Sequence, residues 1–226
     1  MTRFLITFTI FSLVLASSVF SEEAKETDQG VTELSQQEKE EGFVMVFNGK
    51  NLDGWRGDTK GYIPENDCLV CKPGGNLYLP KDYSNFIFRF EFKLTPGANN
   101  GVGIRCTPGK NAAYHGMEIQ ILDNYAEVYK DLKPYQFHGS IYGVVPAKKG
   151  ATKPAGEWNT EEIYAKDGRI KVTVNGQVIV DADIWEIEET MDGQEHPGLK
   201  NKSGAIGFLG HGDQLRFRNI RIKELD

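Results

Sequence analysis

The sequence predicts an all-β protein, a two-sheet antiparallel β-sandwich or jelly roll. Segments of alternating apolar and polar residues recur along the chain, and turns rich in glycine, proline and asparagine separate them, as is typical of sandwich domains. Long segments with helical periodicity are absent from the sequence; residues 184–191 are the best helical candidate and form a short stretch inside a connection. The 226 residues are enough for one such domain and a targeting signal.

The first 21 residues have the features of a secretory signal peptide. Arg3 is the one charged residue among them, and an apolar run from Phe4 to Ala16 precedes small residues that suit a signal peptidase. The run is short for a membrane span of about 20 residues, and Glu22 and Glu23 follow at once. We therefore expect a secreted or periplasmic protein without stable membrane insertion.

Residues 22–41 form an acidic segment that we expect to be a disordered leader. The segment is rich in Glu, Lys, Gln, Thr and Ser and has almost no large apolar residue, so it cannot bury enough surface to offset the entropy that ordering costs. The β-sandwich domain is predicted to span residues 42–226 and to open with a strand at residues 43–47.

Two segments show the strand pattern most clearly. In residues 85–94, four phenylalanines alternate with polar side chains, which predicts one buried and one wetter face. Residues 169–180 repeat this pattern around Asn175-Gly176, a dipeptide that suits a type I′ hairpin because both positions tolerate positive φ.

Charge and cysteine content exclude several classes of protein. Removing residues 1–21 takes away Arg3 and leaves 25 basic and 32 acidic side chains, a net charge of −7, without the basic cluster that nucleic-acid binding needs. Three cysteines cannot form a dense disulfide framework. Cys68 and Cys71 lie three residues apart in a predicted strand, hence on opposite faces, so we interpret them as structural and not as a metal or redox pair.

The first candidate site segment is residues 116–123, Gly-Met-Glu-Ile-Gln-Ile-Leu-Asp. Strand alternation sends Glu118 and Gln120 to the same face, and a bulge near Leu122 would bring Asp123 to that face as well. Paired carboxylates on one strand are typical of β-sandwich glycosidases, although retaining hydrolysis needs two carboxyl groups about 5 Å apart. The alternative is a solvated strand face that ends in a turn-forming Asp123.

The second candidate segment is residues 137–143, Phe-His-Gly-Ser-Ile-Tyr-Gly. Alternation predicts His138, Ser140 and Tyr142 on one face of a strand. An imidazole, a hydroxyl and a phenol suit contacts to sugar hydroxyls and proton transfer. The alternative is a polar edge strand.

Residues 96–105 are predicted to form a glycine-rich turn that enters a strand. Gly101, Gly103 and Arg105 would share a face and form a flat surface for a sugar ring, with a guanidinium at its end. Asn100 is a further candidate sugar ligand. The alternative for the glycines is a simple turn and strand. A phosphate loop is not indicated, because the Gly-Lys-Ser/Thr sequence is missing.

Two more residues outside these segments are candidate sugar ligands. Trp158 could be a stacking platform, although an aromatic residue packed in the core is the alternative. His211 lies in the loop-like sequence Gly210-His-Gly-Asp213 and would either enter the site or cap a turn.

The chain contains the following motifs, in order: Phe47-Asn-Gly-Lys-Asn-Leu-Asp-Gly-Trp55, Gly-Gly-Asn-Leu-Tyr78, Asn99-Asn-Gly-Val-Gly-Ile-Arg105, Gly116-Met-Glu-Ile-Gln-Ile-Leu-Asp123, Gly139-Ser-Ile-Tyr-Gly143, Gly156-Glu-Trp-Asn159 and Phe217-Arg-Asn-Ile-Arg-Ile-Lys223. With these motifs the chain resembles the 3-keto-disaccharide hydrolase family over roughly residues 42–225. The resemblance implies a concanavalin A-like jelly roll outside the cytoplasm and activity on glycosides oxidised at sugar carbon 3. It carries site positions over to Arg105, Glu118, Gln120, Asp123, Tyr142 and Trp158.

The implied substrate suggests a mechanism. A ketone at C3 makes the C2 proton acidic, so a modest base can start an elimination that expels the C1 substituent. We hypothesise that Glu118 or His138 takes that proton and that Arg105 with Tyr142 stabilises the enolate oxygen, while another acid assists the leaving group. Arg105, Glu118 and Tyr142 should then meet in one cavity.

Alternative functions remain open on the sequence alone. The same surface could belong to a non-catalytic carbohydrate-binding module, a retaining glucanase that uses Glu118 and Asp123, or a structural surface protein. We predict no cofactor, with Asp123 and loop carbonyls as a candidate calcium site. The expected partners are an oligosaccharide or glycoside substrate and, as the enzyme that would supply the ketone, a sugar dehydrogenase.

Overall fold

The computed structural model describes residues 28–226. The predicted signal peptide and the first residues of the predicted leader, 1–27, lie outside the described part. The strands are β1 (Val44–Met45), β2 (Arg56–Gly57), β3 (Tyr62–Glu65), β4 (Cys68–Cys71), β5 (Leu77–Tyr83), β6 (Phe86–Leu94), β7 (Asn99–Cys106), β8 (Met117–Leu122), β9 (Trp158–Lys166), β10 (Arg169–Val174), β11 (Gln177–Asp183), β12 (Gly204–Gly210) and β13 (Leu215–Glu224); the α-helices are α1 (Gln36–Glu41) and α2 (Ala112–His115).

The strands form two antiparallel sheets. One has eight strands in the order β11-β10-β9-β6-β13-β4-β3, with β1 paired to β13, and the other has five strands in the order β2-β5-β12-β7-β8. The prediction of an all-β, two-sheet antiparallel sandwich is confirmed. Short 3₁₀ turns, including Ile184–Glu186 in the segment named as the best helical candidate, connect the strands.

Aromatic side chains fill the space between the sheets. Phe88 and Phe90 on β6 are fully buried, as the period-two pattern predicts, and their polar neighbours face outward. They contact Phe208 of the opposite sheet, which stacks on Phe217 with ring centroids 3.9 Å apart. Burying such rings removes a large apolar area from water, and this burial is the main source of stability for the sandwich.

The predicted hairpin also forms. β10 and β11 pair antiparallel around Asn175 and Gly176, whose φ angles of 48° and 78° are those of a type I′ turn. Cys68 and Cys71 both lie in β4, and all three cysteines are buried and unpaired. The structural interpretation of the cysteines agrees with this arrangement.

Residues 28–41 are ordered in the structure, unlike the disordered leader that we predicted up to Glu41. Ser35 caps α1 through a capping box with Glu38, and Glu38 pairs with Arg221 on β13. Asp28 pairs with Lys93 on β6. The segment has few apolar side chains, of which Val31 is exposed, and gains order from caps and ion pairs on the outer face of the eight-stranded sheet. Within residues 28–226, no helix has the length and apolar character needed to cross a membrane.

Candidate functional site

A polar cavity of about 270 Å³ lies on the outer face of the five-stranded sheet, against β8. Met117, Ile119 and Ile121 of this strand point into the core, so alternation directs Glu118 and Gln120 outward into the cavity. The connections before and after β8 cover the face and bury both side chains almost completely. The residues that line the cavity are Asn99, Asn111, Ala113, Tyr114, Glu118, Gln120, Leu122, Tyr129, Leu132, Gln136, Tyr142 and His211.

The carboxylate of Glu118 lies beside an imidazole and above a glycine. Nε2 of His211, in the loop after β12, is 3.3 Å from Oε1 of Glu118. On the neighbouring strand β7, a Cβ added to Gly101 would lie 2.2 Å from the same oxygen, so only glycine leaves room for the carboxylate there. The hydrogen bond to Glu118 raises the pKa of His211 above its ordinary value, against the opposing effect of burial.

Amide and phenol groups form the rest of the polar wall. Nε2 of Gln120 donates to Oδ1 of Asn99 over 3.0 Å. Nε2 of Gln136 donates to the phenol oxygen of Tyr142 over 3.2 Å, which leaves the Tyr142 hydroxyl proton available to another acceptor. The backbone N–H of Tyr142 donates to the carbonyl of Glu118, so Tyr142 is held beside the strand that carries the carboxylate.

Tyr114 adds a second phenol to the cavity. It belongs to α2, which Asn111 caps by accepting the N–H of Ala113. Burial raises the pKa of Tyr114, and the nearby Asp192 and Tyr142 add to the rise. The hydroxyl therefore stays protonated near neutral pH and can act as a hydrogen-bond donor.

Arg105 does not reach this cavity, so the prediction that it meets Glu118 and Tyr142 is wrong. Its side chain is fully buried. Its guanidinium donates to the backbone carbonyls of Ser84 and Asp167, at 2.9 Å and 2.7 Å.

A local break in strand alternation explains the position of Arg105. Its φ of +49° lies in the left-handed region, and this turns its side chain away from the face that Gly101 and Gly103 share. The side chain of Cys106 is on the outer face instead. A Cβ added to Gly103, which belongs to that face, would lie 2.7 Å from Sγ of Cys106. Burial lowers the pKa of Arg105, but a guanidinium with several carbonyl partners still carries its charge at neutral pH.

Residues 137–143 form turns, not the predicted strand, and this separates three residues that we expected on one face. Gly139 adopts a φ of +78°, which breaks the alternation after His138. Tyr142 reaches the cavity, but His138 turns into the core, where it stacks on Phe92.

Ser140 and Asn100 likewise have structural surroundings. The hydroxyl of Ser140 accepts the N–H of Ala147 and faces the carbonyl of Pro134. Asn100 points to the core side of β7, with its amide 3.9 Å from the sulfur of Cys71. Both side chains are completely buried and neither lines the cavity, so the structure does not support their predicted contact with sugar.

Asp123 forms a turn at the end of β8, which is the alternative that the sequence left open. Its two carboxylate oxygens accept the backbone N–H groups of Gly97 and Tyr125. Asp123 is therefore not the second carboxylate of a catalytic pair. Asp123 is also the residue that the sequence suggests as a calcium ligand. Within residues 28–226, no group of three or more His, Cys, Asp or Glu side chains is arranged to hold a metal ion.

Trp158 lies on the opposite side of the molecule from the cavity. Its ring is on the outer face of the eight-stranded sheet, where Nε1 donates to Asp28 and the guanidinium of Arg218 lies 4.0 Å from the ring centroid. Residue 28 and its neighbours cover the ring, which is almost fully buried. The predicted stacking of Trp158 against a sugar in this cavity is therefore wrong.

Sequence reasoning missed several cavity residues. Asn99 was detectable, because alternation from Gly101 places it on the outer face of β7, where we named Asn100 instead. Asn111, Tyr114, Tyr129 and Gln136 lie in connections, where no periodic pattern indicates the direction of a side chain.

A larger open cleft of about 1050 Å³ is lined by residues of the segment 184–202. Its walls are mostly exposed loop side chains, and the buried His196 at its base already has partners for both ring nitrogens. We assign the candidate site to the smaller cavity, because that cavity brings together a carboxylate, an imidazole and three phenols.

Comparisons with known proteins agree with a carbohydrate-active site. Residues 42–223 match the family described as 3-keto-alpha-glucoside-1,2-lyase-like domain. The chain is 26% identical over 232 aligned residues to a 3-keto-disaccharide hydrolase from Bacteroides thetaiotaomicron, covering 82% of this chain and 79% of the relative. A crystal structure of a candidate glycosyl hydrolase from Parabacteroides distasonis is 30% identical with a TM-score of 0.73, covering 81% of this chain and 99% of that one.

A more distant structure shows the fold alone. A protein with a galectin-like fold from Bacillus subtilis is 12% identical with a TM-score of 0.51, covering 80% of this chain and 94% of that one.

Proposed function

Because the chain belongs to the family of 3-keto-alpha-glucoside-1,2-lyase-like domains, we propose that it cleaves glycosides whose sugar ring carries a ketone at carbon 3. The observation that carries the proposal is the Glu118–His211 pair inside a small polar cavity. The volume of about 270 Å³ is just below the range of about 300–1,000 Å³ that is typical of small-molecule pockets, and it suits one sugar ring better than a long glycan.

Glu118 is the general base in this proposal. It removes the proton from C2, and the electron pair of that C–H bond forms an enolate with its charge on the C3 oxygen. Collapse of the enolate forms the C1–C2 double bond, restores the ketone and breaks the bond between C1 and the leaving oxygen. The products are the free alcohol and an unsaturated 3-keto sugar, and addition of water across the new double bond completes net hydrolysis.

His211 is the acid in this proposal. Its raised pKa keeps the imidazolium populated at a pH where an unpaired histidine is mostly neutral, and it gives its proton to the leaving oxygen. After one turnover Glu118 holds the C2 proton and His211 has lost one. Transfer across their 3.3 Å contact restores the starting state.

Tyr142 and Tyr114 stabilise the enolate in this proposal, in place of the guanidinium of Arg105. Both phenols line the cavity. The Tyr142 hydroxyl proton is free to donate because Gln136 donates to its oxygen. Donors fixed before the reaction stabilise a developing oxyanion strongly, because the protein has already oriented them.

The geometry favours this reaction over the retaining-glucanase alternative. A retaining glucanase needs a second carboxyl group about 5 Å from the first, and the two oxygens of Asp123 are occupied by backbone N–H groups outside the cavity lining. Elimination beside a ketone requires only one base and one acid.

Replacing Glu118 tests the proposal. Incubation of the wild-type protein with a 3-keto-glucoside should release the alcohol, and Glu118→Gln should reduce the rate by about 100-fold or more, because the base is lost but the shape is kept. Glu157→Gln, on the exposed surface, is the matched control and should retain full activity. Equal rates for folded Glu118→Gln and wild type would rule Glu118 out, and a wild-type protein that binds the sugar without releasing product would indicate a binding module.

Two further parts of the proposal concern where the protein works and what supplies its substrate. The signal features of residues 1–21 support export from the cytoplasm. Oxidation of a sugar hydroxyl produces the ketone at C3, so a sugar dehydrogenase acts before this protein.

A further inference from the structure

A buried histidine–aspartate pair lies behind the wall of the cavity. His196 has a side chain with no exposed surface. Its Nδ1 is 3.1 Å from the backbone carbonyl of Ala113, and its Nε2 is 3.2 Å and 3.1 Å from the two carboxylate oxygens of Asp192. His196 is not among the residues that line the cavity.

Hydrogen-bond acceptors face both ring nitrogens of His196. The backbone carbonyl of Ala113 faces Nδ1, and the carboxylate of Asp192 faces Nε2. Burial of Asp192 is outweighed by the N–H of Gln194 and by His196, which hold the pKa of Asp192 below its ordinary value. These contacts hold the imidazole ring in one orientation.

The Asp192–His196 pair contacts the segments that carry Tyr114 and Tyr142. The His196 ring centroid is 4.7 Å from that of Tyr114, and Ala113 is the residue directly before Tyr114. The N–H groups of Met191 and Asp192 both donate to the carbonyl of Gly143, the residue directly after Tyr142.

The contact at Gly143 is too close for any other residue. A Cβ at this position would lie 2.4 Å from Oδ2 of Asp192 and 2.9 Å from Cε1 of His196. The Asp192–His196 pair therefore packs directly on the backbone next to Tyr142.

We propose that His196, paired with Asp192, is a positioning residue that holds Tyr114 and Tyr142 at the cavity wall. This inference rests on the proposed function, because it assigns the two phenols to the enolate oxygen. The titratable groups that face His196 are Asp192 and Tyr114. On its other side, the cleft that it borders carries Glu188, Glu189, Glu195, Lys200 and Lys202.

Kinetics test the positioning role. His196→Gln should lower kcat on a 3-keto-glucoside by about 10- to 100-fold, since small displacements of oriented groups have effects of this size, and should change KM by less than about threefold. His115→Gln, at the end of the same short helix as Tyr114, is the matched control and should retain wild-type kcat. A folded His196→Gln or Asp192→Asn protein with wild-type kcat would overturn the proposal.

A readout independent of activity separates this inference from the proposed function. NMR signals of selectively labelled Tyr114 and Tyr142 should shift in His196→Gln and Asp192→Asn but not in His115→Gln. If the wild-type protein does not cleave the sugar, the proposed function fails and these signals still decide whether His196 holds the tyrosines. Unchanged tyrosine signals in both folded variants would overturn the positioning role.

Discussion

At the scale of single residues, the surroundings of a side chain decide its chemistry more than its type does. Glu118 and Asp123 are both carboxylates at the same strand, yet Glu118 faces His211 in a cavity and Asp123 accepts two backbone N–H groups in a turn. The first arrangement leaves a carboxylate able to exchange a proton with an imidazole. In the second arrangement, both carboxylate oxygens of Asp123 accept hydrogen bonds from the backbone and stabilise the turn.

The pKa of His211 should depend on Glu118. The pKa is raised in the wild-type protein because Glu118 favours the charged imidazole. The stabilisation from this pair is therefore complete below the ordinary histidine pKa of about 6.5 and is lost as the pH rises through the higher folded value. In Glu118→Gln the pKa of His211 should fall, because burial then opposes protonation with only the weaker effect of Asp213 against it.

An NMR titration of the imidazole protons measures this change. The control is Glu157→Gln on the exposed surface, in which the His211 titration should match that of the wild type. Identical His211 titrations in wild type and Glu118→Gln would contradict the pairing.

At the scale of elements, period-two alternation holds along regular strands and fails where a residue has positive φ. It assigns the faces of β6 and β8 correctly. It fails at Arg105, where φ is +49° at the end of β7, and at Gly139 in the segment after β8. A positive φ redirects every later side chain, so one such residue is enough to invert an assignment.

The packing of β7 against β8 makes Gly101 necessary for the carboxylate position. A methyl group in Gly101→Ala would lie 2.2 Å from Oε1 of Glu118, so we expect the carboxylate to move away from His211 and the rate on a 3-keto-glucoside to fall by about 10-fold or more. In the control Gly75→Ala, the nearest atom is 3.6 Å from the new Cβ, an ordinary contact. That variant should keep its rate and melting temperature. Wild-type kinetics in Gly101→Ala would show that the carboxylate position is not critical.

At the scale of the whole molecule, the sandwich core encloses a carboxyl group that the proposed reaction does not use. Glu161 on β9 is completely buried, and Nε2 of His138 lies 3.2 Å from its Oε2 without the alignment of a good hydrogen bond. Nδ1 of His138 accepts the N–H of Leu122, so the ring is neutral with its proton on Nε2. Burial raises the pKa of Glu161, although the neighbouring His138 opposes the rise.

Glu161→Gln should stabilise the protein near neutral pH. Between the ordinary pKa of 4.5 and the raised folded value, Glu161 is protonated in the folded state but not in the unfolded state. The free energy of unfolding therefore falls as the pH rises through this range, and it stays lower at higher pH. Removing the buried charge should add on the order of 1 kcal/mol at pH 7, and the gain should shrink toward pH 4.

Urea unfolding at several pH values measures this difference. The control is Glu162→Gln, an outward-facing neighbour that pairs with Arg89 over 2.7 Å; it should lose at most about 1 kcal/mol. A less stable Glu161→Gln at pH 7 would contradict the expected cost of burying this carboxylate.

The sequence by itself determined the fold class, the strands with regular alternation, the Asn175-Gly176 hairpin and the family. It also placed Glu118 and Gln120 on one face and named Tyr142 and His211 as site residues. These features depend on local patterns: the direction of a side chain in a strand follows from its neighbours along the chain, and a type I′ turn follows from two residues.

Only the tertiary structure decided which of the named residues meet. It brought His211 to Glu118 from a loop 93 residues away, added Asn99 and Tyr114, turned Arg105 and His138 away from the cavity, and ordered residues 28–41 on a sheet face. The physical reason is that side chains in loops and after positive-φ residues take directions set by long-range packing and hydrogen bonds, which no local periodicity encodes.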